Sequence, residues 1–320
     1  LGTLNRLFMA AELLHLANST WTGLRLGVVD ELEAHLHPQA QMQVIEAFQK
    51  QKDIQLILTT HSPNLASKLK LENLIICNNA NAFPMGDTYT KLGKDDYKFL
   101  EKFLDTTKAN LFFAKGVILV EGWAEEILLP SIAKAIGINL TEKGVSIVNI
   151  GHTGFDHYAK IYLREAEPNM KIPVAVITDS DIREYEKSGD DFVKRDANSV
   201  QQETQAKLAT INGKSENNVQ YFPAPNWTLE YSLFKSTSLK TIFETSVKTI
   251  HTGTDWNTDF EKALALKLIN KGLKKTEIAY QIANAIDEDL AKEVRTILNV
   301  DNTNDTVNYL VKAIKYATGN

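Results

Sequence analysis

The chain has 320 residues, 43% of them apolar and 23% charged, with a formal net charge of −5. That is ordinary for a globular protein and long enough for two domains, each with a core. The single cysteine, Cys77, excludes a disulfide framework or a cysteine zinc site and fits a reducing cytoplasm; no apolar run approaches the roughly 20 residues that span a bilayer. The acidic balance is unlike a basic DNA-binding module, although carboxylates that hold metal ions invert their local field.

Leu1 to Asn18 reads as an amphipathic helix, with Leu4, Leu7, Phe8, Leu13 and Leu14 at helical spacing. Leu24 to Val29 is a short apolar run ending in Asp30-Glu31 and predicts a buried strand. Pro38 opens a helix to about Lys50, because proline suits the first helical turn. Ile54 to Leu58 predicts a second buried strand, Thr59 to Pro63 a loop, and Leu74 to Cys77 a third strand. Strands alternating with helices imply a parallel α/β sheet. Residues 78–95 are polar and read as a loop, and Lys94 to Thr107 as a helix. A domain boundary is expected near residues 107–115.

A second α/β series follows. Strands are expected at Val117–Val120, Val145–Ile150, Val174–Thr178 and Val219–Phe222. Helices are expected at Ala124–Ile136, from Phe155 to about Ala166, and at Ser199–Ile211. The polar stretch Arg183–Asn198 reads as mobile, and most of the chain after Trp227 as helical.

Two acidic constellations carry chemistry. The first is Asp30-Glu31 at the end of an apolar strand, the layout of a Walker B element. Such a strand delivers carboxylates to the carboxyl edge of a parallel sheet, where ligands bind. One can hold Mg²⁺ and the next can orient the water that attacks a γ-phosphate. His61, after the next strand, reaches the same edge. Asp30-Glu31-Leu32-Glu33-Ala34-His35-Leu36-His37-Pro38, with Thr59-Thr60-His61-Ser62-Pro63 downstream, resembles the ABC-type ATPase heads of the SMC and OLD group. The resemblance implies that Asp30 is the magnesium ligand, Glu31 the catalytic base, His61 the H-loop residue and Glu33–Pro38 the D-loop. His35 and His37 belong to that loop rather than to a metal site. The phosphate-cradling Gly-x-x-x-x-Gly-Lys-Ser/Thr loop is absent. The chain, which opens Leu-Gly-Thr-Leu, therefore reads as the C-terminal part of a longer protein, and ATP hydrolysis is not expected from it alone.

The second constellation begins with Val117-Ile118-Leu119-Val120-Glu121-Gly122, a strand ending in a glutamate, with Gly122 read as a tight turn into a helix. Glu125 lies one helical turn further, so both carboxylates can share one side. Asp179 and Asp181 end another buried strand about 60 residues on. Four converging carboxylates repel unless a cation lies among them, and such hard oxygen ligands suit Mg²⁺ or Mn²⁺. Each acidic residue alone is equally compatible with ending a strand or opening a helix. Jointly they form the Toprim pattern of topoisomerases, primases and OLD nucleases.

A Toprim segment directly after an ATPase head resembles the OLD (overcoming lysogenization defect) family, which includes the Gabija nuclease subunit. The likeness spans essentially the whole chain. It implies a partial ABC ATPase domain over residues 1–107, a Toprim nuclease domain over 108–235 with a Rossmann-like parallel sheet, and a helical C-terminal region over 236–320 that completes the site. Trp227-Thr228-Leu229-Glu230-Tyr231 matches a family element whose glutamate joins the metals. Lys274-Lys275-Thr276-Glu277 resembles a later lysine element, with Lys275 the expected catalytic lysine and Lys274 the alternate.

The implied activity is metal-dependent endonuclease cleavage of DNA. Two cations about 4 Å apart clamp the attacking and leaving oxygens. Glu121, Glu125 and Asp179 would hold one, and Asp181 and Glu230 would help hold the second. Water is the nucleophile and Lys275 stabilises charge on the phosphate. The resemblance further implies ATP control in the full-length protein, a homodimer or higher homo-oligomer, a helicase as a candidate partner, and antiphage defence in the cytoplasm, with no membrane association. Gly151-His152-Thr153-Gly154 reads as a βα turn or a phosphate-approaching loop, with Thr153 and Ser180 as secondary candidates. Lys240, Lys248, Lys262, Lys267, Lys271 and Lys274 read as a solvated helical surface or a groove wall. A topoisomerase would need a nucleophilic tyrosine in a recognisable context. A primase would need a zinc domain. A nucleotide-gated DNA sensor without catalysis is the alternative of a different class.

Overall fold

The computed structural model describes residues 2–17, 23–51, 53–151, 154–189, 191–293, 295–296 and 300–319. The chain divides into two compact units, Leu1–Phe113 and Ala114–Asn320.

In the first unit helix α1 (Gly2–Ala17) precedes strand β1 (Leu26–Val29), α2 (Pro38–Gln49), β2 (Gln55–Leu58) and the single turn α3 (Pro63–Ala66). A 3₁₀ turn (Leu71–Asn73) leads into β3 (Ile75–Asn78) and β4 (Asn81–Pro84), then α4 (Lys94–Phe103) and a second 3₁₀ turn (Lys108–Phe113). Strands β1 and β2 pair in parallel, Leu26 opposite Gln55. Met9, Leu32, Leu36, Ala40, Ile45, Phe48 and Leu65 form their core.

Three expectations are corrected here. The first two strands are not buried: Leu26, Val28 and Ile57 are open, because the two-stranded sheet is packed on one face only. The apolar row of α1 is likewise mostly open, with Met9 buried but Leu4, Leu7, Phe8 and Leu14 exposed. The third strand does not extend the parallel sheet. It forms an antiparallel hairpin with β4, inside the stretch expected to be a loop. Asn79 and Ala80 at its tip both have positive φ, 48° and 60°, as a tight hairpin turn requires.

The second unit is a four-stranded parallel sheet in the order β10-β7-β5-β6. It comprises β5 (Gly116–Val120), α5 (Trp123–Ala135), β6 (Val145–Asn149), α6 (Phe155–Ala159) and β7 (Val174–Thr178). These are followed by a hairpin β8 (Tyr185–Ser188)–β9 (Asp191–Lys194), α7 (Ala197–Asn212) and β10 (Val219–Pro223). Helices α8 (Leu229–Lys235), α9 (Lys240–Ile250), α10 (Phe260–Ile269), α11 (Lys275–Leu290) and α12 (Asn308–Thr318) complete it. The central strands are buried and apolar up to Thr178 at the end of β7, as expected where both faces are covered. The stretch Arg183–Asn198, expected to be mobile, contains the β8–β9 hairpin and leads into α7. Helix α6 is shorter than expected and passes into a 3₁₀ turn at Lys160–Tyr162.

Helix α11 packs along α5, and α12 packs against β5, β7 and β10. Among the described residues no helix is long and apolar enough to cross a membrane.

Candidate functional site

β5 and β7 are neighbours at the centre of the sheet, with Leu119 opposite Val176. Their carboxyl ends therefore deliver Glu121 and Asp179 side by side, where open α/β sheets bind ligands. Glu121 Oε1 accepts hydrogen bonds from the Thr178 hydroxyl at 2.6 Å and the Asp179 amide at 3.2 Å. Burial and the nearby Asp181 push the Glu121 carboxyl above its ordinary range, against the pull of Thr178, the Asp179 amide and Lys275.

Gly122 is in extended backbone, φ −155°, at the N-cap of α5. The tight-turn reading of this glycine is therefore corrected, since any residue adopts that conformation. Glu125, in the first turn of α5, is buried. Burial, followed by repulsion from Glu230, raises its pKa to about 7.

Asp179 Oδ1 accepts the amide of Leu229 at 2.8 Å, so this carboxylate sits at the start of α8. Its acidity is nevertheless weakened well beyond the ordinary aspartate range, first by burial and then by Glu230. Thr228 caps α8 through Tyr231 N at 3.3 Å. That turns Glu230 inward, where it is 2% exposed. Asp181 is exposed, in left-handed backbone with φ 60°, and its amide donates to the Trp227 carbonyl at 2.9 Å.

Lys275 closes the site. Helices α5 and α11 run the same way, since Lys134 and Asp287 near their far ends pair at 3.3 Å. The first residue of α11 thus arrives beside the first turn of α5. Lys275 Nζ lies 2.9 Å from Glu230 Oε2. Burial opposes its charge, but Glu230 and Asp179 outweigh burial and hold the ammonium more firmly protonated than a free lysine. Lys274 instead pairs with Glu277 at 3.1 Å on the open face of the helix. Beyond the lysine contact, neither oxygen of Glu230 accepts a hydrogen bond among the described residues.

Sequence reasoning did not single out Thr178 as a partner of Glu121. Its position as the last residue of β7, immediately before Asp179, was the available signal. Ser180 is fully buried and its hydroxyl turns to the Trp227 carbonyl, 3.4 Å away, rather than to the carboxylates. Thr153 and His152 lie outside the described residues. Several lysines of the helical region are locally paired: Lys240 with Glu244, Lys262 with Asp191 and Lys274 with Glu277.

In the first unit Asp30 follows β1 and accepts a hydrogen bond from the Thr59 hydroxyl, which in turn accepts from Glu31 N at 2.9 Å. Glu31 is in left-handed backbone, φ 46°. Glu33, expected only as part of a loop, clamps the segment after β2: it accepts from Thr60 Oγ1 at 2.7 Å and His61 N at 2.5 Å. The structure therefore brings Asp30, Glu31 and His61 to one sheet edge. His37 Nδ1 caps α2, accepting from Ala40 N at 3.3 Å.

The donor set of the second unit is chemically suited to a hard divalent cation. Glu121, Glu125 and Asp179 resist ionisation, and the buried Glu230 has the Lys275 ammonium as its one close donor among the described residues. Among the described residues no three His, Cys, Asp or Glu side chains stand close enough to hold a metal as they are. The Lys275 ammonium is the cation that now balances Glu230.

A glutamate after the first strand and Asp-x-Asp after the third, on a parallel sheet, define a Toprim-type domain behind an ATPase-type segment. Residues 112–181 match the family model described as overcoming lysogenization defect protein-like, TOPRIM domain, and residues 1–67 match an AAA domain described as putative AbiEii toxin. Over these two segments the chain is similar to the OLD-like family.

It is 28% identical over 218 residues to the endonuclease GajA of Bacillus cereus, covering 57% of this chain and 30% of that one. It is 22% identical over 202 residues to the OLD nuclease of Thermus scotoductus, covering 58% and 37%. The chain thus spans about a third of the length of these relatives. Among solved structures, the C-terminal region of the Xanthomonas campestris OLD protein is 22% identical at a TM-score of 0.38, covering 66% of this chain and 95% of that one.

Proposed function

We propose that the second unit is a divalent-metal-dependent DNA endonuclease site, controlled in the whole protein by ATP at the head to which the first unit belongs. One observation carries the reading: Glu121, Glu125, Asp179 and the buried Glu230 gather at one sheet edge against Lys275, and burial, then mutual repulsion, suppresses the acidity of the first three. Carboxylates held this way favour a cation. The nuclease names of the relatives point the same way.

In this reading Glu121, Glu125 and Asp179 hold one Mg²⁺ or Mn²⁺, and Asp181 and Glu230 help hold a second. The cations supply Lewis acidity and charge neutralisation. Thr178 fixes the Glu121 carboxylate. The amide of Leu229 fixes Asp179. Lys275, released from Glu230, places its positive charge against the phosphate. Domain limits near residues 107 and 235, homo-oligomerisation, a helicase partner and a role in antiphage defence belong to the same proposal.

Supercoiled plasmid incubated with the chain and Mg²⁺ or Mn²⁺, without ATP, tests it. Nicked and linear products are expected from the parent and not from Asp179→Asn/Asp181→Asn. Religated circles of altered linking number would favour a topoisomerase, and metal-dependent DNA binding without cleavage would favour a sensor.

A further inference from the structure

A tyrosine on the last helix, Tyr309, stands beside this site. Tyr309 is 8% exposed, and its hydroxyl is buried with no hydrogen-bond partner among the described residues. A buried hydroxyl without a partner costs stability, and most such groups are satisfied.

Its level in the fold follows from how α12 is anchored. At the far end, the Ala317 carbonyl sits against Gly116, the first residue of β5, so closely that a Cβ there would lie 2.0 Å from the oxygen. At the near end, Thr306 donates to the Ser232 carbonyl at 2.6 Å, two residues beyond Glu230 on α8. Helix α12 therefore runs antiparallel to β5, starting at the carboxyl edge and ending beneath the strand. Tyr309 precedes Ala317 by eight residues, or about 12 Å of helix. β5 rises about 13 Å from Gly116 to Val120. Tyr309 thus stands at the level of Val120, the last residue of β5 and the neighbour of Glu121. The charges that bear on its hydroxyl, after burial, are those of Asp179, Glu125, Glu230 and Glu121.

A buried donor without an acceptor, on Tyr309, and a buried carboxylate that beyond the Lys275 ammonium accepts no hydrogen bond, on Glu230, occupy the same edge of the sheet. We propose that Tyr309 is a positioning residue of the acidic site, its hydroxyl donating to the Glu230 carboxylate and orienting it when a divalent cation replaces the Lys275 ammonium. The inference rests on the metal reading above. Groups that hydrogen-bond a metal's carboxylates set their orientation, and losing one typically costs 10–100-fold in affinity.

The test compares the full chain with Tyr309→Phe, which keeps the ring and removes the hydroxyl. Mn²⁺ affinity is read by calorimetry, and the metal-free thermal midpoint is measured in chelator. The expected result is Mn²⁺ binding weakened about 10-fold, with a metal-free midpoint unchanged or raised. Unaltered Mn²⁺ affinity would overturn the proposal. So would a weakened affinity accompanied by a lowered metal-free midpoint, which marks a structural hydroxyl. Asp179→Asn separates the two layers. If the parent binds no Mn²⁺, or Asp179→Asn binds it equally well, the metal reading fails and the Tyr309 role falls with it. If Asp179→Asn abolishes binding and Tyr309→Phe changes nothing, only the Tyr309 role is lost.

Discussion

Replacing Glu125 by glutamine should stabilise the metal-free protein above neutral pH and do little in acid. The Glu125 carboxyl rises from 4.5 to about 7. At about 1.4 kcal/mol per tenfold change in proton affinity, its ionisation costs folding on the order of 3 kcal/mol once the pH is above 7. The direction is set by linkage. The folded chain holds this proton more tightly than the unfolded chain, so stability is greatest below pH 4.5 and declines as pH rises through 7. Glutamine cannot ionise, so the variant lacks that decline and also relieves Glu230 and Asp179 of a like charge. Urea denaturation in chelator at pH 5 and pH 8 measures the difference, followed by the fluorescence of Trp227 and Trp256, buried in the same core. The variant should gain about 3 kcal/mol over the parent at pH 8 and about 0.8 kcal/mol at pH 5. An equal gain at both pH values, or a parent more stable at pH 8 than at pH 5 against an unchanged variant, would refute the reasoning.

Three other perturbations probe the frame around the site. Lys275→Met strips Glu230 of its counter-charge; because the lysine side chain is 44% exposed, the expected loss at pH 8 is about 2 kcal/mol, less than the roughly 3–5 of a fully buried pair, and Mn²⁺ should restore part of it in thermal melts. Gly116→Ala would drive a Cβ to 2.0 Å from the Ala317 carbonyl, so α12 must shift, with an expected cost at or above the upper end of about 1–3 kcal/mol for overpacking. Burial works against the charge of Glu261, yet hydrogen bonds from Lys194, Lys235 and Tyr231 outweigh it and hold the carboxyl at about 2. Its stabilisation is therefore present above pH 4.5 and lost as pH falls toward 2, and Glu261→Gln should cost about 1–3 kcal/mol at pH 7 and flatten that acid limb.

How legible the site was depended on where its information lies along the chain. Glu121, Glu125, Asp179 and Asp181 each stand at the end of an apolar strand or in the first turn after it, so local pattern places them at one sheet edge. Tyr309 sits in an amphipathic helix whose apolar row hides it. Its placement depends on the Ala317–Gly116 approach, a contact between residues about 200 apart. Thr178 is the final residue of an apolar run, and its hydroxyl gains meaning only through the β5–β7 pairing.

Hairpins were missed for a different reason. Tyr185–Ser188 is largely polar and exposed, without the apolar alternation that marks a strand. The β3–β4 turn places an alanine, Ala80, at positive φ where glycine is the usual signal. The exposed faces of β1 and β2 arise because, among the described residues, their sheet has two strands, which no property of Leu26 or Val28 announces.

The central claim is that the carboxylates around Lys275 are a divalent-metal site, and a crystal of the chain soaked in Mn²⁺ at pH 8 tests it most directly. The account predicts an anomalous scattering peak among Glu121, Glu125 and Asp179, with the Lys275 ammonium displaced from Glu230. A map with no peak there, and Lys275 still paired to Glu230 at high Mn²⁺, would contradict it.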